Sequence, residues 1–231
     1  CSIYGCFAKL NGLNWNPPLY KPNPEMPFIP TEAEIDALIA AAGRKMAALL
    51  QLLKETGIRI GEACQLTWMD VDFERCTLRV KAEKNSKPRM FHVSRKLVDM
   101  LNSIPRNGEH IFNTNSRILA TTFRNLRARL TERLGNPRLR KITFRTIRHW
   151  KATMEYHKTK DVLYVKELLG HKSLDSTLIY INIERALFGS GNTDEFHVKV
   201  ARTPDEVRTL LEAGFDYICE KDGLMFFRKC K

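Results

Sequence analysis

The stretch LLGHKSLDSTLIY spans residues 168–180 and predicts a tight corner between two helices. The residues just before it, 161–169, space their apolar side chains as one face of a helix does. Gly170 is suited to end that helix, because glycine adopts the left-handed conformation without steric cost. His171 would then lie in the connection, with Tyr180 about two turns into the next helix. The corner therefore predicts a histidine and a tyrosine at a fixed offset, although a plain helical hairpin with a half-buried tyrosine explains it equally well.

Capping signals predict where several helices begin. Thr31 and Glu34 form a capping box that opens a helix reaching about residue 42. Asp161 is expected to cap the helix before the corner, and Ser173 the short helix after it, with Asp175 in the first turn. Further helices are predicted over residues 44–55, 94–103 and 121–134, and from Thr143 or Phe144 onwards.

Composition indicates a globular, basic chain with a polyanionic partner. The chain has 231 residues, of which 43% are hydrophobic, and a formal net charge of +12. Lys and Arg in such excess favour binding to phosphates, because they release condensed counterions. Residues 117–151 hold eleven Lys and Arg against one acidic residue, whereas residues 193–231 hold seven against eight. We therefore expect the polyanion to contact the middle of the chain.

Several other classes of protein are excluded by what the sequence lacks. No pair of the six cysteines has the C-x-x-C spacing of a zinc site, and no G-x-x-x-x-G-K-[ST] loop occurs. We therefore expect no metal and no cofactor. No run of about 20 apolar residues and no secretory signal are present, so we expect no membrane partner. Free thiols in a reducing cytoplasm are the expected state of the cysteines.

The chain is predicted to have three segments. Residues 1–30 are interpreted as the end of a missing N-terminal domain and a Pro-rich linker, because proline disfavours helix and the first residue is Cys1 rather than Met. Residues 31–190 are expected to form the main domain. Residues 191–231 predict a small β-α-β-β appendix, whose helix is capped by Thr203.

Two strands, residues 76–81 and 89–93, are predicted to form a β-hairpin with lysines in its connection. Lys84 and Lys87 lie in that connection. A lysine on a hairpin can reach into a neighbouring groove, while simple solvation of these lysines is the alternative.

Arginines at two helix starts are candidate anion ligands. Gly57 breaks a helix, and Arg59 begins the next turn three residues before Glu62. Glu62 could hold Arg59 while its guanidinium binds an anion, or the two could be an ordinary helix-start ion pair. Arg145 and Arg148 lie one turn apart without nearby acids, and such like charges favour an anion beside them.

The helix over residues 121–134 has a basic face that can follow a DNA backbone, although a solvated face is the alternative. Lys151 and Lys172 are further candidate DNA contacts. The predicted apolar stripe consists of Phe123, Leu126, Leu130 and Leu134, and the opposite face of Arg124, Arg127, Arg129 and Arg133.

Tyr180 surrounded by cations is a candidate nucleophile. Its phenol ionises near pH 10 when unperturbed, and positive charge nearby would lower that pKa. Two arginines can bind the non-bridging oxygens of a phosphate, and a lysine can protonate the departing oxygen. These residue types together predict a metal-free phosphoryl transfer with a covalent intermediate.

The ordered motifs resemble the catalytic domain of the tyrosine recombinases, the phage-integrase superfamily. The likeness covers about residues 31–180, and the interval of 23 residues between Arg148 and His171 is typical of that family. The matching motifs are residues 56–62 (TGIRIGE) for the first arginine, Lys84 for the hairpin lysine, residues 143–149 for the His-x-x-Arg segment, and residues 169–171 with Tyr180 for the final box.

The resemblance implies an α+β, mostly α-helical fold and a site-specific recombinase that acts on double-stranded DNA without metal or ATP. It implies a tetramer on DNA, possible monomers free of it, and a cytoplasmic location. It also implies that an N-terminal core-binding domain precedes the linker. The small C-terminal unit resembles the tails of integrases from archaeal plasmids and viruses.

Residue roles follow from the same resemblance. Tyr180 would attack the scissile phosphate, form a 3′-phosphotyrosine link and free a 5′-hydroxyl. Lys84 would be the general acid, with Lys87 and Lys81 as less favoured substitutes. The residues expected around the phosphate are Arg59 and Arg148 as its main ligands, His171 and Arg145 in support, and Glu62 orienting Arg59.

One position departs from the family pattern. Arg145 stands where the family usually has the first His of His-x-x-Arg, and an arginine is a poor base because it stays protonated. Tyr180 would then lose its proton to water, to His171 or to phosphate. His149 is expected to point about 100° away on its helix and is not taken as a substitute.

Three rival hypotheses remain at this stage. A type IB topoisomerase uses a similar site to relax supercoils without a specific sequence. A DNA-binding protein with a decayed active site is supported by Arg145. An RNA-binding basic domain is disfavoured, because the aromatic stacking motifs of single-strand readers are missing.

Overall fold

The computed structural model describes residues 2–16, 26–83, 86–189, 196–221 and 223–230. Among these residues no helix is both long and apolar enough to cross a membrane. The helices are α1 (Ser2–Leu10), α2 (Glu32–Ala41), α3 (Arg44–Thr56), α4 (Ile60–Cys64), α5 (Arg95–Asn102), α6 (Ser116–Leu134), α7 (Phe144–Thr159), α8 (Val162–Leu169), α9 (Asp175–Phe188) and α10 (Pro204–Glu212). The strands are β1 (Val71–Asp72), β2 (Thr77–Val80), β3 (Arg89–His92), β4 (Phe196–Ala201), β5 (Asp216–Lys221) and β6 (Leu224–Cys230).

Helix α3 lies at the centre of the main hydrophobic core. Its residues are buried from Met46 to Leu53, and it packs against α2, α5 and α7. The predicted capping box starts α2, because Glu34 Oε2 accepts a hydrogen bond from the backbone N–H of Thr31 at 2.8 Å and Thr31 Oγ1 accepts one from Glu34 at 3.2 Å. Gly57 ends α3 in the left-handed conformation, at φ 64°.

The three strands β1, β2 and β3 form an antiparallel sheet in that order. Leu78 pairs with Phe91 in its register, and both side chains are buried in the main core. The predicted β-hairpin is thus confirmed, with each strand slightly shorter than expected. Lys84 and Asn85, in its connection, lie outside the described residues.

Helix α6 buries most of its predicted apolar stripe. Phe123, Leu126 and Leu130 belong to the main core, but Leu134 is exposed. Leu134 is the last residue of the helix, immediately before Gly135 at φ 62°, so its exposure falls at the very end of the stripe.

Helices α7, α8 and α9 pack around a second, smaller core. Asp161 caps α8 as predicted, since its Oδ1 accepts hydrogen bonds from two backbone N–H groups of the first turn. Gly170 ends α8 at φ 68°. Leu174 precedes α9 with helical backbone angles and makes no side-chain cap. The predicted capping bond of Ser173 is present one residue earlier, because Ser173 Oγ accepts a hydrogen bond from the backbone N–H of Asp175 at 3.2 Å.

The C-terminal β4–α10–β5–β6 unit has the predicted β-α-β-β order, and its sheet has the strand order β4-β6-β5. Thr203 caps α10 through a capping box with Glu206, as expected. Its own small core contains Leu210 and Phe227. The α+β, mostly helical fold class is therefore confirmed, while residues 17–25 of the predicted linker lie outside the described residues.

Candidate active site

A pocket of about 460 Å³ opens where the start of α4, the first half of α7 and the start of α9 meet. Five of the six predicted catalytic side chains line it; the sixth, Lys84, lies outside the described residues. The lining residues are Ile58, Arg59, Ile60, Phe144, Arg145, Arg148, His149, His171, Ser176 and Tyr180.

Arg59 lies at the N-cap position of α4, immediately after the break at Gly57. Its Nη1 atom is 3.6 Å from Glu62 Oε1, beyond a good hydrogen bond, and this buried nitrogen has no hydrogen-bond partner among the described residues. Buried donors are ordinarily satisfied. The guanidinium of this pocket-lining residue therefore keeps one donor that no described residue accepts.

Glu62 accepts three hydrogen bonds next to Arg59, one from the backbone of Arg59 and two from other side chains. Its fully buried carboxylate accepts hydrogen bonds from the backbone N–H of Arg59 at 2.8 Å, from Ser86 Oγ at 2.7 Å and from Arg89 Nη2 at 2.7 Å. One carboxylate thus joins α4 to the connection of the β-hairpin and to β3. Sequence reasoning found Glu62 but not Ser86 and Arg89, whose only sequence signal is their position beside the predicted hairpin lysine.

Arg148 is almost completely buried behind the pocket. It donates hydrogen bonds to the backbone carbonyls of Gly57 at 2.7 Å and Leu169 at 2.9 Å, so it joins the end of α3 to the end of α8. Burial, together with the positive charge of Arg59, lowers its pKa to about 10. Arg148 therefore stays protonated at neutral pH.

Glycine is required at position 170 for its backbone angle and also because a side chain passes very close to it. Arg89 Nη1 donates to the carbonyl of Leu169 at 2.7 Å, and a Cβ atom on Gly170 would lie only 1.7 Å from that nitrogen. Two arginines therefore converge on the same carbonyl, and only a glycine lets the second approach.

His171 follows Gly170 in the corner and lies half-buried against the pocket. Its Nδ1 is 2.9 Å from Thr177 Oγ1, which fixes the ring orientation. Burial, followed by the charges of Arg148 and Arg59, lowers its pKa to about 4. His171 is therefore neutral at pH 7 while no anion occupies the pocket, and its ring can donate a hydrogen bond to a phosphate oxygen.

Tyr180 lies on α9 in the second core, almost fully buried, and its ring is among the lining groups of the pocket. The neighbouring arginines lower the pKa of Tyr180 as expected, but the net shift of that pKa is upward. Burial of the phenol raises that pKa more than Arg148, Arg145 and Arg59 lower it. The reason is desolvation, which disfavours the phenolate.

His149 contacts Tyr180, contrary to the expectation that it points away. Its Nδ1 is 3.1 Å from the Tyr180 hydroxyl, and its Nε2 accepts a hydrogen bond from Arg145 Nε at 3.3 Å. The prediction considered only the turn of about 100° between Arg148 and His149 on α7. It failed because α9 packs against α7 and brings Tyr180 to the side on which His149 lies. The useful signal was the spacing of Arg145 and His149, which at i and i+4 share one face.

The sequence model described as the phage integrase family matches residues 30–186, about two thirds of the chain. The chain belongs to the phage integrase family. This match confirms the family resemblance that the ordered sequence motifs indicated.

Curated relatives of this phage integrase chain include tyrosine recombinases from bacteria and archaea. XerC of Anoxybacillus flavithermus is 28% identical over 163 residues, which are 65% of this chain and 54% of that protein. XerA of Pyrococcus horikoshii is 28% identical over 191 residues, 77% of this chain and 65% of that protein. The chain thus spans about half to two thirds of the length of the relatives it matches.

Solved structures share the fold. A crystal structure of XerA recombinase is 25% identical and superposes with a TM-score of 0.60 over 83% of this chain and 74% of that chain. The post-cleavage complex of XerH site-specific recombinase with palindromic difH substrate is 21% identical and has a TM-score of 0.57, covering 74% of this chain and 54% of that chain. These likenesses confirm the tyrosine-recombinase fold.

The other lysines predicted as site residues lie outside the pocket lining. Lys87 is exposed and lines a separate groove beside β3 and α8, together with Lys151. Lys151 is paired there with Glu155 at 2.6 Å. Lys81 is 3.4 Å from Asp70, and Lys172 is exposed next to His171. None of these lysines lines the pocket itself.

The arginines of α6 form the predicted exposed face only in part. Arg124 and Arg129 are exposed, whereas Arg127 stacks over Phe123 and donates to the carbonyl of Arg140. Burial lowers the pKa of Arg127. Within the described residues, no group of three His, Cys, Asp or Glu side chains could hold a metal ion.

Proposed function

We propose that this integrase-family chain is a site-specific recombinase, which cleaves and rejoins double-stranded DNA through a 3′-phosphotyrosine link. The observation that carries the proposal is the meeting of Tyr180 with three guanidinium groups, those of Arg59, Arg145 and Arg148, in one pocket. A buried phenol beside so much positive charge suits a nucleophile for a phosphodiester. Membership of the family supports the same activity.

The pocket can bind one scissile phosphate. Arg59 supplies a buried N–H group that no described residue accepts, and Arg148 supplies a charge that persists at neutral pH. Charge-assisted bonds from arginine to phosphate are short and strong, and in a buried site they stabilise the extra charge of the pentavalent transition state. His171 also lines the pocket and can donate a hydrogen bond to the phosphate beside them.

The reaction then proceeds in two balanced steps. The phenol proton of Tyr180 leaves to water, and the phenolate oxygen forms a bond to phosphorus while the bond from phosphorus to the 5′ oxygen breaks. The electron pair of that bond stays on the 5′ oxygen, which takes a proton from a general acid. In the second step the 5′-hydroxyl of a partner strand gives its proton to the conjugate base of the general acid, and its oxygen bonds to phosphorus while the bond from phosphorus to Tyr180 breaks. The released phenolate takes a proton from water, so the exchange needs no external energy source.

Lys84 is proposed as the general acid, with Lys87 and Lys81 as substitutes. Support comes from the base of its hairpin, where the hydrogen bond from Ser86 to Glu62 attaches the connection to the Arg59 side of the pocket. A lysine two residues before Ser86 is close in sequence to that anchor. Arg145 is proposed to support the phosphate from the exposed side of the pocket.

A wider DNA surface is proposed around the pocket, and a tetramer is proposed as the assembly that exchanges strands. The basic excess over residues 117–151 supports DNA as the partner. We propose the catalytic domain as residues 31–190 and the C-terminal unit as a separate appendix, residues 191–231. The further proposed DNA contacts are Lys87, Arg124, Arg127, Arg129, Lys151 and Lys172.

The test uses a pool of nicked duplexes with randomised sequence around the nick. The protein is incubated with the pool and denatured in SDS, and DNA that stays attached to protein is sequenced. We expect an adduct that is lost in Tyr180→Phe and kept in the matched control Tyr164→Phe, whose ring is partly exposed on α8.

Three other outcomes would contradict the proposal. An adduct that persists in Tyr180→Phe would rule out this nucleophile. DNA retention without any adduct would support the decayed DNA-binding hypothesis. Relaxation of a supercoiled plasmid that lacks the selected sequence would support a topoisomerase.

A further inference from the structure

Three side chains form two hydrogen bonds in series at the edge of the pocket. Arg145 Nε donates to His149 Nε2 at 3.3 Å, and His149 Nδ1 lies 3.1 Å from the hydroxyl oxygen of Tyr180. A guanidinium has donors and no acceptor, so the nitrogen that faces it must have its lone pair free. In a neutral imidazole the proton is then on Nδ1, and Nδ1–H points at the tyrosine oxygen.

We propose that His149 is a catalytic residue that donates a hydrogen bond to the nucleophilic oxygen of Tyr180, and that Arg145 is the positioning residue that holds His149 in this tautomer. The inference rests on the proposed function, because the phenolate it stabilises is the nucleophile of DNA cleavage. It assigns a role to the arginine that replaces the usual histidine of the family motif.

The arrangement opposes the alternative in which His149 takes the phenol proton. Protonation of Nδ1 would give an imidazolium whose Nε2–H faces the Nε–H of Arg145, so that two donors and two positive charges would meet at 3.3 Å. Burial, with the charges of Arg145 and Arg148, lowers the pKa of His149 to about 4, so that the ring is neutral at pH 7. His149 therefore acts as a donor, and the phenol proton leaves to water on the open side of the pocket.

A hydrogen bond from His149 Nδ1–H to the Tyr180 oxygen counteracts the rise in the Tyr180 pKa that burial causes. The second core surrounds the phenol ring and raises its pKa, so a phenolate there needs hydrogen bonds to its oxygen. A hydrogen bond that strengthens as the oxygen becomes negative favours the ionised form that attacks phosphorus. His149 packs against the ring at 5.8 Å between centroids, which keeps the donor in place.

The helix makes the Arg145–His149 contact by its own geometry. The two residues are at i and i+4 of α7, so their side chains are neighbours on one face. Arg145 forms no ion pair with a carboxylate among the described residues, which leaves its guanidinium available to the imidazole. The other charged or titratable groups near His149 are Arg148 on the same helix and His171 from the corner.

The first measurement needs no DNA. Nitrogen NMR of the protein with labelled histidine reports which ring nitrogen of His149 is protonated, and tyrosine-labelled protein reports the pKa of Tyr180. We expect a protonated Nδ1 in wild type and in Arg145→Lys, which is also a pure donor. Arg145→Glu should move the proton to Nε2, because a carboxylate accepts. Mixed or unchanged tautomers in Arg145→Glu would overturn the positioning role.

The second measurement is the rate of covalent adduct formation on a duplex selected from the randomised pool. His149→Phe keeps the ring but loses the donor, and we expect a loss of about 10- to 100-fold. His149→Asn can place an amide N–H near the position of Nδ1 and should retain most of the rate. Equal rates in wild type and His149→Phe would overturn the catalytic role while leaving the recombinase function intact.

The two measurements separate failure of this inference from failure of the proposed function. If wild type forms no adduct, the proposed function fails, and the NMR experiment still decides the Arg145–His149 contact. In that case a rise in the pKa of Tyr180 in His149→Phe, but not in His149→Asn, supports the donor role, and an unchanged pKa overturns it. Thermal unfolding of each variant checks that it is folded.

Discussion

Arg89 Nη2 donates a hydrogen bond to Glu62 Oε2 at 2.7 Å, and the two side chains form a buried ion pair between β3 and α4. Ser86 and the backbone of Arg59 donate to the same carboxylate. The ion pair thus connects two parts of the proposed site. One is the hairpin, which is proposed to carry the general acid, and the other is Arg59, which is proposed to bind the phosphate. We therefore expect the Arg89–Glu62 pair to fix the position of the hairpin relative to Arg59.

Removal of one partner of this pair should be strongly destabilising. We expect Glu62→Ala to lower the free energy of unfolding by about 3–5 kcal/mol, because it leaves the charge of Arg89 buried and unpaired. Urea unfolding followed by circular dichroism measures the change. Asp99→Ala is the matched control, because its pair with Arg95 is solvent-exposed and should contribute less than about 1 kcal/mol. Equal losses in the two variants would contradict the importance of the buried pair.

Gly170 and Gly135 provide a matched test of the close approach of Arg89. Both end a helix at similar φ, 68° and 62°, but a Cβ on Gly135 would meet nothing within 4 Å. We expect Gly135→Ala to cost about 1–2 kcal/mol from backbone strain alone. Gly170→Ala should cost about 2 kcal/mol more, because Arg89 must give up its bond to Leu169. Equal losses in chemical denaturation would show that the contact matters little.

The general acid can be identified with a substrate whose 5′ oxygen at the cleavage position is replaced by sulfur. A thiolate leaves without protonation, because its pKa is far below that of an alcohol. We expect Lys84→Ala to slow cleavage of the ordinary selected duplex by about 100- to 10,000-fold and to regain the wild-type rate on the sulfur substrate. Lys87→Ala is the control. If Lys87→Ala shows the defect and its rescue instead, the acid is Lys87.

The free energy of unfolding should decrease as the pH falls below about 6.5, because His149 and His171 bind protons less readily in the folded protein than in the unfolded chain. The pKa values of His149 and His171 are about 4 in the folded protein, below the ordinary value of about 6.5, so the unfolded chain binds protons first. Stability is therefore full above about pH 7 and declines between about pH 6.5 and 4. Allowing for partial exposure, we expect the two residues together to account for about 2–4 kcal/mol.

Urea unfolding at pH 7.5 and pH 5 measures this decline. The double variant His149→Asn/His171→Asn should lose much of the difference between the two pH values, because neither replacement titrates. The variant His110→Asn, altered at an exposed histidine, should keep it. A double variant with the same pH dependence as wild type would refute the assignment to these two residues.

The sequence by itself determined the local features of this protein. The capping box of Thr31, the cap at Asp161 and the left-handed ends at Gly57 and Gly170 were predictable, because each depends on hydrogen bonds and backbone angles within about four residues. The order and spacing of the motifs were enough to identify the family. These signals persist in the sequence because they need no distant partner.

Only the tertiary structure decided how the motifs meet. Arg89 and Leu169 are separated by 80 residues, and nothing local to either predicts their hydrogen bond. The packing of α9 across α7 brings His149 to Tyr180, against the expectation from a single helix. The direction of the pKa shift of Tyr180 likewise depends on burial outweighing neighbouring charges. Desolvation and long-range contacts are properties of the packed molecule, and a linear pattern of residues does not contain them.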